Sequence, residues 1–251
     1  MSKVFSVDNK FFSTVNKIVD MIWLSFLWSF CSLPLLFLIF TLMTEETSLW
    51  ILLLIPFGAV TVGPSSAALY YAIVKSVRRD RSYATKCFFH GFKVNFKQGA
   101  ITSVLYGIAA TILFLDYFWS DSFLQLGEEI APIMRGVFMG MGIFVLFSLV
   151  WLNPLLSRFE LGIKELIKNS MILAIKNIFR TILMAGIWVG LGYCFINFFN
   201  VIVYYLIFIP FTIPALSALI RSFLIEPVFK RITGDPNEDS DKEEVDAWYA
   251  E

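Results

Sequence analysis

From Thr181 to Ile220 the chain runs for forty residues without a charged side chain. As one helix that run would reach about 60 Å at 1.5 Å per residue, twice the roughly 30 Å of a bilayer's hydrocarbon core. It must therefore fold back near Asn197-Phe198-Phe199-Asn200 and supply two spans. Water gives no reason to make every face of consecutive helices apolar, so the solvent of this segment is lipid.

The rest of the chain agrees. With 58% hydrophobic residues and 27 phenylalanines among 251 positions, too few polar side chains remain to coat a water-soluble globule. Uncharged runs also cover Met21 to Thr44, Thr47 to Val74, Gln98 to Leu115 and Gly136 to Ser157. Each reaches the roughly 18 residues that mark a transmembrane candidate. The expected fold is all-α: a polytopic membrane protein of six transmembrane helices arranged as three hairpins. The expected spans are about 21–44, 48–74, 98–118, 136–157, 181–198 and 201–221, and the transmembrane domain as a whole covers 21–232.

A net charge of zero hides segregation by sign. Lys75 to Lys97 holds seven basic residues against Asp80 alone, and Arg158 to Arg180 holds five against two acids. The other connections are acidic: Glu45 and Glu46 in one, Asp116, Asp121, Glu128 and Glu129 against a single Arg135 in the next. Because Lys and Arg flanking spans are retained in the cytoplasm, the basic connections and both termini are expected there. Lys3 and Lys10 before an apolar run imitate a signal peptide, but Met21 to Thr44 is too long for one and lacks a small-residue cleavage site. Trp28-Ser29-Phe30-Cys31 is a poor lipidation match. Cys31 and Cys194 fall in spans and Cys87 in a cytoplasmic loop, so no disulfide framework is expected.

Before the first span, Val4, Val7, Phe11, Val15 and Ile18 recur at helical spacing, which predicts an amphipathic interfacial helix over residues 1–20. The second span contains Pro56, Gly58, Gly63 and Pro64 and should be kinked or broken, with Thr61, Ser65 and Ser66 close enough to satisfy freed carbonyls. Broken helices also line substrate paths in transporters, the less favoured reading of this one. Pro64-Ser65-Ser66, Pro154-Leu155-Leu156 and Pro214-Ala215-Leu216 recur near the basic ends of even spans. Lys93-Val94-Asn95-Phe96-Lys97 is likewise echoed by Lys176-Asn177-Ile178-Phe179-Arg180. This is a short internal repeat of the kind three hairpins would leave. Spans four and five share Gly136-x-x-x-Gly140-x-Gly142 and Gly186-x-x-x-Gly190-x-Gly192, the spacing that lets helix backbones approach. From Thr233 onward eight acids and one lysine make a solvated cytoplasmic tail, 233–251, in which Trp248 and Tyr249 could serve as a docking peg.

Chemistry has no visible carrier. The sequence contains no phosphate-binding loop, no paired-cysteine metal spacing, no His-Glu-x-x-His and no nucleophile elbow, so no catalytic residue, cofactor or metal is expected. The single histidine, His90, lies among aromatics in Phe88-Phe89-His90-Gly91-Phe92-Lys93 and is expected to be interfacial. Ionisable groups inside a bundle mark coupling sites, and none is expected in the six cores. Asp116 falls at the outer end of span three, while Arg221 and Glu226 fall at the inner end of span six, where snorkelling accounts for them. Asn153, beside Pro154, is the strongest polar side chain embedded in the first five spans. A helix-to-helix hydrogen bond is its favoured role, ahead of a ligand contact.

The stretch from Lys75 to Gln98 is the most distinctive. Arg78, Arg79 and Arg81 precede Phe88, Phe89, Phe92 and Phe96, which interleave with Lys86, Lys93, Asn95 and Lys97. This pattern suits a helix floating at an anionic inner leaflet, or one that docks a cytoplasmic partner protein. Nucleic acid is excluded as a partner because lipid would occupy the stacking aromatics.

Gly63-Pro64-Ser65-Ser66-Ala67-Ala68-Leu69-Tyr70-Tyr71, then Phe88-Phe89-His90-Gly91-Phe92-Lys93-Val94-Asn95-Phe96-Lys97-Gln98, resemble the signature of the bacterial YesL-like family, whose function is unknown. The resemblance extends through Asn153-Pro154 and spans most of residues 5–230. It implies a multi-pass protein of the bacterial cytoplasmic membrane. Such proteins are encoded beside carbohydrate importers of the ATP-binding-cassette type, which implies a part in oligosaccharide uptake. The chain lacks the Glu-Ala-Ala-x-x-x-Gly coupling loop of importer permeases, so the implied role is that of an accessory to a permease. Its expected partners are the bilayer and that permease, or further copies of itself. The alternatives are a stand-alone transporter or channel with a path near Gly63, Pro64, Ser65, Asn153 and Pro154, and a membrane sensor or scaffold.

Overall fold

The computed structural model describes residues 10–44, 49–78, 83–123, 130–197 and 212–233, and every regular element among them is helical. Three segments are long and apolar enough to cross a membrane: Ile51–Arg78, Ala84–Tyr117 and Ala131–Arg158. Two bent pairs bring the number to five if each pair makes one span. Several sequence expectations lie outside the described residues. These are the first nine positions with Val4 and Val7, Arg79 and Arg81, the turn at 198–200, positions 201–211 of the expected sixth span, and the tail from 234 with Trp248 and Tyr249.

Helix α1, Lys10–Cys31, runs without interruption from the amphipathic stretch into the first expected span, and Val15 and Ile18 are exposed on its surface. The span does not continue straight to Thr44. At Ser32 the axis turns by 71° into α2, Leu33–Thr44. Pro34 is the cause: it has no N–H to give and restricts the residue before it. The chain tightens there, with the Ser32 amide shared between the carbonyls of Trp28 at 2.9 Å and Ser29 at 3.1 Å.

The second expected span stays one helical run, and its regularity is lost locally where its prolines predict. α3, Leu49–Gly58, passes through a 3₁₀ turn at Ala59–Thr61 into α4, Val62–Ala72, and then into a π-helical turn at Ile73–Arg78. Repair by the hydroxyls is uneven. The Ser65 hydroxyl donates to the Val62 carbonyl at 3.1 Å and meets that of Ser32 at 3.2 Å, tying one break to the other. Ser66 instead accepts the Trp28 indole N–H at 3.0 Å, and the Thr61 hydroxyl has no hydrogen-bond partner among the described residues.

α5, Ala84–Phe123, is one helix of 40 residues, which at 1.5 Å per residue measures about 60 Å. The basic-aromatic stretch is therefore no separate interfacial helix. It is the first third of a rod twice as long as a bilayer's core is thick. The rod lies against α3 and α4 through three glycines. A β-carbon on Gly99 would sit 2.8 Å from the Pro64 nitrogen, one on Gly91 3.2 Å from the Ala68 Cα, and one on Gly107 3.0 Å from the Pro56 Cα. On the facing helix, a β-carbon on Gly63 would come 2.4 Å from the Gly99 carbonyl oxygen and 2.0 Å from the Ser103 hydroxyl. The two backbones touch, so the hydrocarbon seam has no room for side chains.

The glycines singled out by their spacing behave otherwise. Around Gly136, Gly140 and Gly142 of α6, Ala131–Arg158, and Gly186, Gly190 and Gly192 of α8, Ile178–Asn197, an added β-carbon meets nothing within 4 Å. The expectation that they seat helices closely is not met among the described residues.

α8 follows α7, Ile163–Lys176, across a 103° bend at Asn177. Asn177 has left the helical region with φ −118 and ψ 45, and the Thr181 hydroxyl pins the corner by donating to the carbonyls of Ala174 at 2.9 Å and Asn177 at 3.0 Å. Thr181 in turn accepts the buried Trp151 indole N–H at 2.9 Å. The echo between residues 93–97 and 176–180 therefore does not carry over to structure: the first is mid-helix and the second a corner. The last helix, α9, is Ile213–Thr233; Ser25 of α1 accepts the Ala215 amide at 3.0 Å, a donor the helix's own first turn cannot satisfy.

Two apolar clusters fill the bundle. One joins Trp151, Leu152, Leu166, Met184, Ile225 and Phe229. The other joins Leu24, Leu69, Ile73, Phe88, Ala215 and Ala218.

Candidate functional site

At the basic end of the bundle a cavity of about 520 Å³ opens between α4, the π-turn, α5, the end of α6 and α9. Its floor is an ionic knot. Glu226, only 2% exposed, accepts hydrogen bonds from Arg158 and, at 3.2 Å, from the Tyr70 hydroxyl. A carboxylate so far out of water costs several kcal/mol unless paired, and both of its oxygens are engaged. Snorkelling therefore does not explain Glu226, which turns inward. Arg221 is equally removed from solvent, its guanidinium 5.1 Å from the centre of the Trp188 ring.

Pro227 explains why cations gather here. It lies inside α9 and leaves the Phe223 carbonyl, one turn back, without its amide donor, which loosens that turn and opens the neighbouring carbonyls to outside donors. Two arginines from other helices donate to carbonyls of that turn: Arg78 to Ser222 at 2.8 Å and Arg180 to Leu224 at 3.2 Å. Arg78 also stacks on Phe223, 4.6 Å from its centre. It is a strut of the bundle.

The cavity wall comes from both faces of the glycine seam. The π-turn brings in Lys75, 6% exposed, its ammonium 4.8 Å from the centre of the Tyr71 ring, and Tyr71 stacks with His90 at 6.1 Å. α5 contributes His90, Asn95, Lys97 and Gln98, and Asn95 is steadied by donating to the Gly91 carbonyl at 2.9 Å. Ser157 and Glu160 close the far side.

Sequence-predicted positions divide sharply along α5. Phe88 is fully buried against Leu24, Ile73 and Ala218, so it cannot meet a partner and is corrected to a core residue. Phe92 is half-buried and stacks on it at 6.3 Å. Phe89 and Phe96 are exposed, as are Lys86, Lys93 and Lys97. Gly63, Pro64 and Ser65 lie in the sealed seam, away from the cavity lining. Asn153 is buried beside Pro154 in α6, yet its amide makes no hydrogen bond to another helix among the described residues. Tyr70, Lys75, Arg158, Arg221 and Glu226 were missed as a group. The signal was present in Pro227 and in the two charges ahead of it on a helix too apolar to hold them unpaired.

Residues 21–117 match the family described as protein of unknown function, DUF624. The YesL-like proteins are members of that family, so the match over this stretch is consistent with the resemblance read from the sequence. No curated protein and no solved structure matches the chain. The DUF624 segment contains the whole glycine seam and the half of the cavity wall from Tyr70 to Gln98. Arg158 and Glu226 complete the wall from beyond it.

Proposed function

We propose that this chain is a non-enzymatic, six-span protein of the bacterial cytoplasmic membrane, with both termini inside, that assists oligosaccharide uptake as an accessory to an importer permease of the ATP-binding-cassette type. Support for the setting comes from the loop charges, and support for the role from the YesL-like resemblance alone. The observation that carries the docking part is the exposed face of α5: Phe89, 52% exposed, and Phe96, 43% exposed, stand among Lys86, Lys93 and Lys97 on a helix that outruns the bilayer.

Orientation is tested with single cysteines in a chain whose native cysteines are replaced, because Cys87 is buried and silent on either side. Tyr83→Cys, at a position 78% exposed, should be protected from an impermeant thiol reagent in intact cells and labelled after permeabilisation. Ser122→Cys should be labelled in intact cells. Labelling at position 83 without permeabilisation reverses the topology.

Docking is tested by replacing Phe89 and Phe96 with Ser, which leaves every orienting charge and the buried Phe88 in place. The variant should insert and fold normally but lose co-purification with the permease, and cells should grow poorly on the oligosaccharide while growing normally on its monosaccharide. Normal co-purification and uptake would leave these phenylalanines as lipid anchors and end the docking proposal.

A further inference from the structure

The cavity at the basic end is not consumed by the docking reading, which uses the exposed face of α5 around Phe89 and Phe96. The Lys, Arg and Glu side chains of its lining offer the open volume no surplus of either sign. Arg158 is spent on Glu226, and the exposed Lys97 and Glu160 contribute opposite charges. The Lys75 ammonium is buried over the Tyr71 ring, 4.8 Å from its centre, and has no exposed surface to present. A strongly charged ligand would leave water here without meeting a counter-charge that is not already balanced.

The cavity is nonetheless polar. Gln98 lines it half-buried, and its side-chain amide makes no hydrogen bond among the described residues. Asn95 gives its amide N–H to the Gly91 carbonyl at 2.9 Å and keeps its own carbonyl oxygen for another donor. The Ser157 hydroxyl donates to the Pro154 carbonyl at 2.8 Å and retains lone pairs that can accept. A wholly apolar ligand would strip water from these groups and return no hydrogen bonds, which is unfavourable. Apolar surface from Val94, Leu156 and Phe159 lies between them.

The wall is held in shape by its backbone. One side is the π-helical turn at Ile73–Arg78, a conformation that recurs at functional sites. On the facing side a β-carbon on Gly91 would sit 3.2 Å from the Ala68 Cα and 3.3 Å from the Tyr71 ring, so α5 is pressed against α4 beside the polar groups. The volume, about 520 Å³, falls within the roughly 300–1,000 Å³ typical of small-molecule sites.

We propose that this cavity binds a neutral, polyhydroxylated small molecule, a saccharide or sugar-like polyol. Such a molecule carries donors and acceptors side by side without net charge, and its C–H faces are apolar, so it matches both parts of the lining. The Gln98 carboxamide sets a donor beside an acceptor and can meet two neighbouring hydroxyls at once. Asn95 and Ser157 accept from further hydroxyls, and Val94 and Phe159 receive the C–H face. The inference needs neither the permease nor the exposed phenylalanines of the docking reading.

The test uses the full chain purified in a polyoxyethylene detergent, which has no sugar headgroup. At least one of maltose, glucose and myo-inositol should raise the thermal midpoint saturably. Glycine betaine at equal osmolality should give only the shallow, unsaturable rise of an excluded osmolyte, and glucose 6-phosphate should bind no tighter than the best of the neutral probes. Gln98→Leu should weaken the apparent affinity at least tenfold, about 1.4 kcal/mol. Ser157→Ala, expected to weaken it several-fold, serves if the first variant does not fold. Lys93→Gln, exposed on the same helix and outside the cavity lining, should leave it unchanged. No saturable response to any neutral probe, tighter binding of glucose 6-phosphate, a saturable response to betaine, or equal loss in the cavity variants and Lys93→Gln overturns the proposal. All of these variants keep Phe89 and Phe96, so failure here is separable from failure of the docking reading.

Discussion

Gly99→Ala should be among the most damaging single-methyl additions in this protein, lowering stability in detergent by at least the about 1–3 kcal/mol typical of overpacking. The added β-carbon would stand 2.8 Å from the Pro64 nitrogen and 3.0 Å from its Cα. Both belong to backbone that cannot step aside as a side-chain tip can. Gly63→Ala should behave alike, because its new carbon would lie 2.4 Å from the Gly99 carbonyl oxygen. Gly140→Ala and Gly190→Ala are the controls. Among the described residues nothing stands within 4 Å of their added carbons, and alanine is the better helix former by about 1 kcal/mol, so these variants should be neutral or slightly stabilising. Thermal or denaturant unfolding of the four purified variants decides the matter. Equal tolerance at 99 and 140 would mean that α4 and α5 do not meet as described.

The second large effect is expected at the ionic knot. Arg158→Ala leaves Glu226, 2% exposed, with the Tyr70 hydroxyl as the remaining hydrogen bond of those two. Removing one member of a buried pair costs roughly 3–5 kcal/mol. The Arg158 side chain is 27% exposed, so water screens part of the pair and the low end of that range is expected. The double variant Arg158→Met with Glu226→Leu should lose less than Arg158→Ala, since no orphaned charge remains. A double variant as unstable as the single one would show that the knot's shape matters and its charge does not.

These two sites differ in how far they could be anticipated. The breaks at Pro56 to Pro64 are local events: a missing amide donor disturbs the helix that contains it whatever surrounds it, and the 3₁₀ turn appears where the prolines place it. Pro34 carried the same signal, and the 71° bend follows from it although the apolar run around it reads as one span. The chain's separation of Lys and Arg into two connections is equally local. The choice among glycines was not local. Gly136-x-x-x-Gly140 and Gly91, Gly99 and Gly107 are all small residues on apolar helices, and only the partner opposite decides which set is pressed against backbone.

The same distinction runs through the cavity. Length and hydropathy by themselves determined an all-helical chain with segments able to cross a membrane, because lipid leaves a backbone no other way to satisfy its amides within one segment. Tertiary structure alone decided that Phe88 faces the core while Phe89, one residue on, stays exposed, and that Glu226 points at Arg158, 68 positions away. A helix in lipid can be apolar on every face, so periodicity no longer reports which face is inside. Burial of a charge depends on distant groups that come together only when the bundle closes.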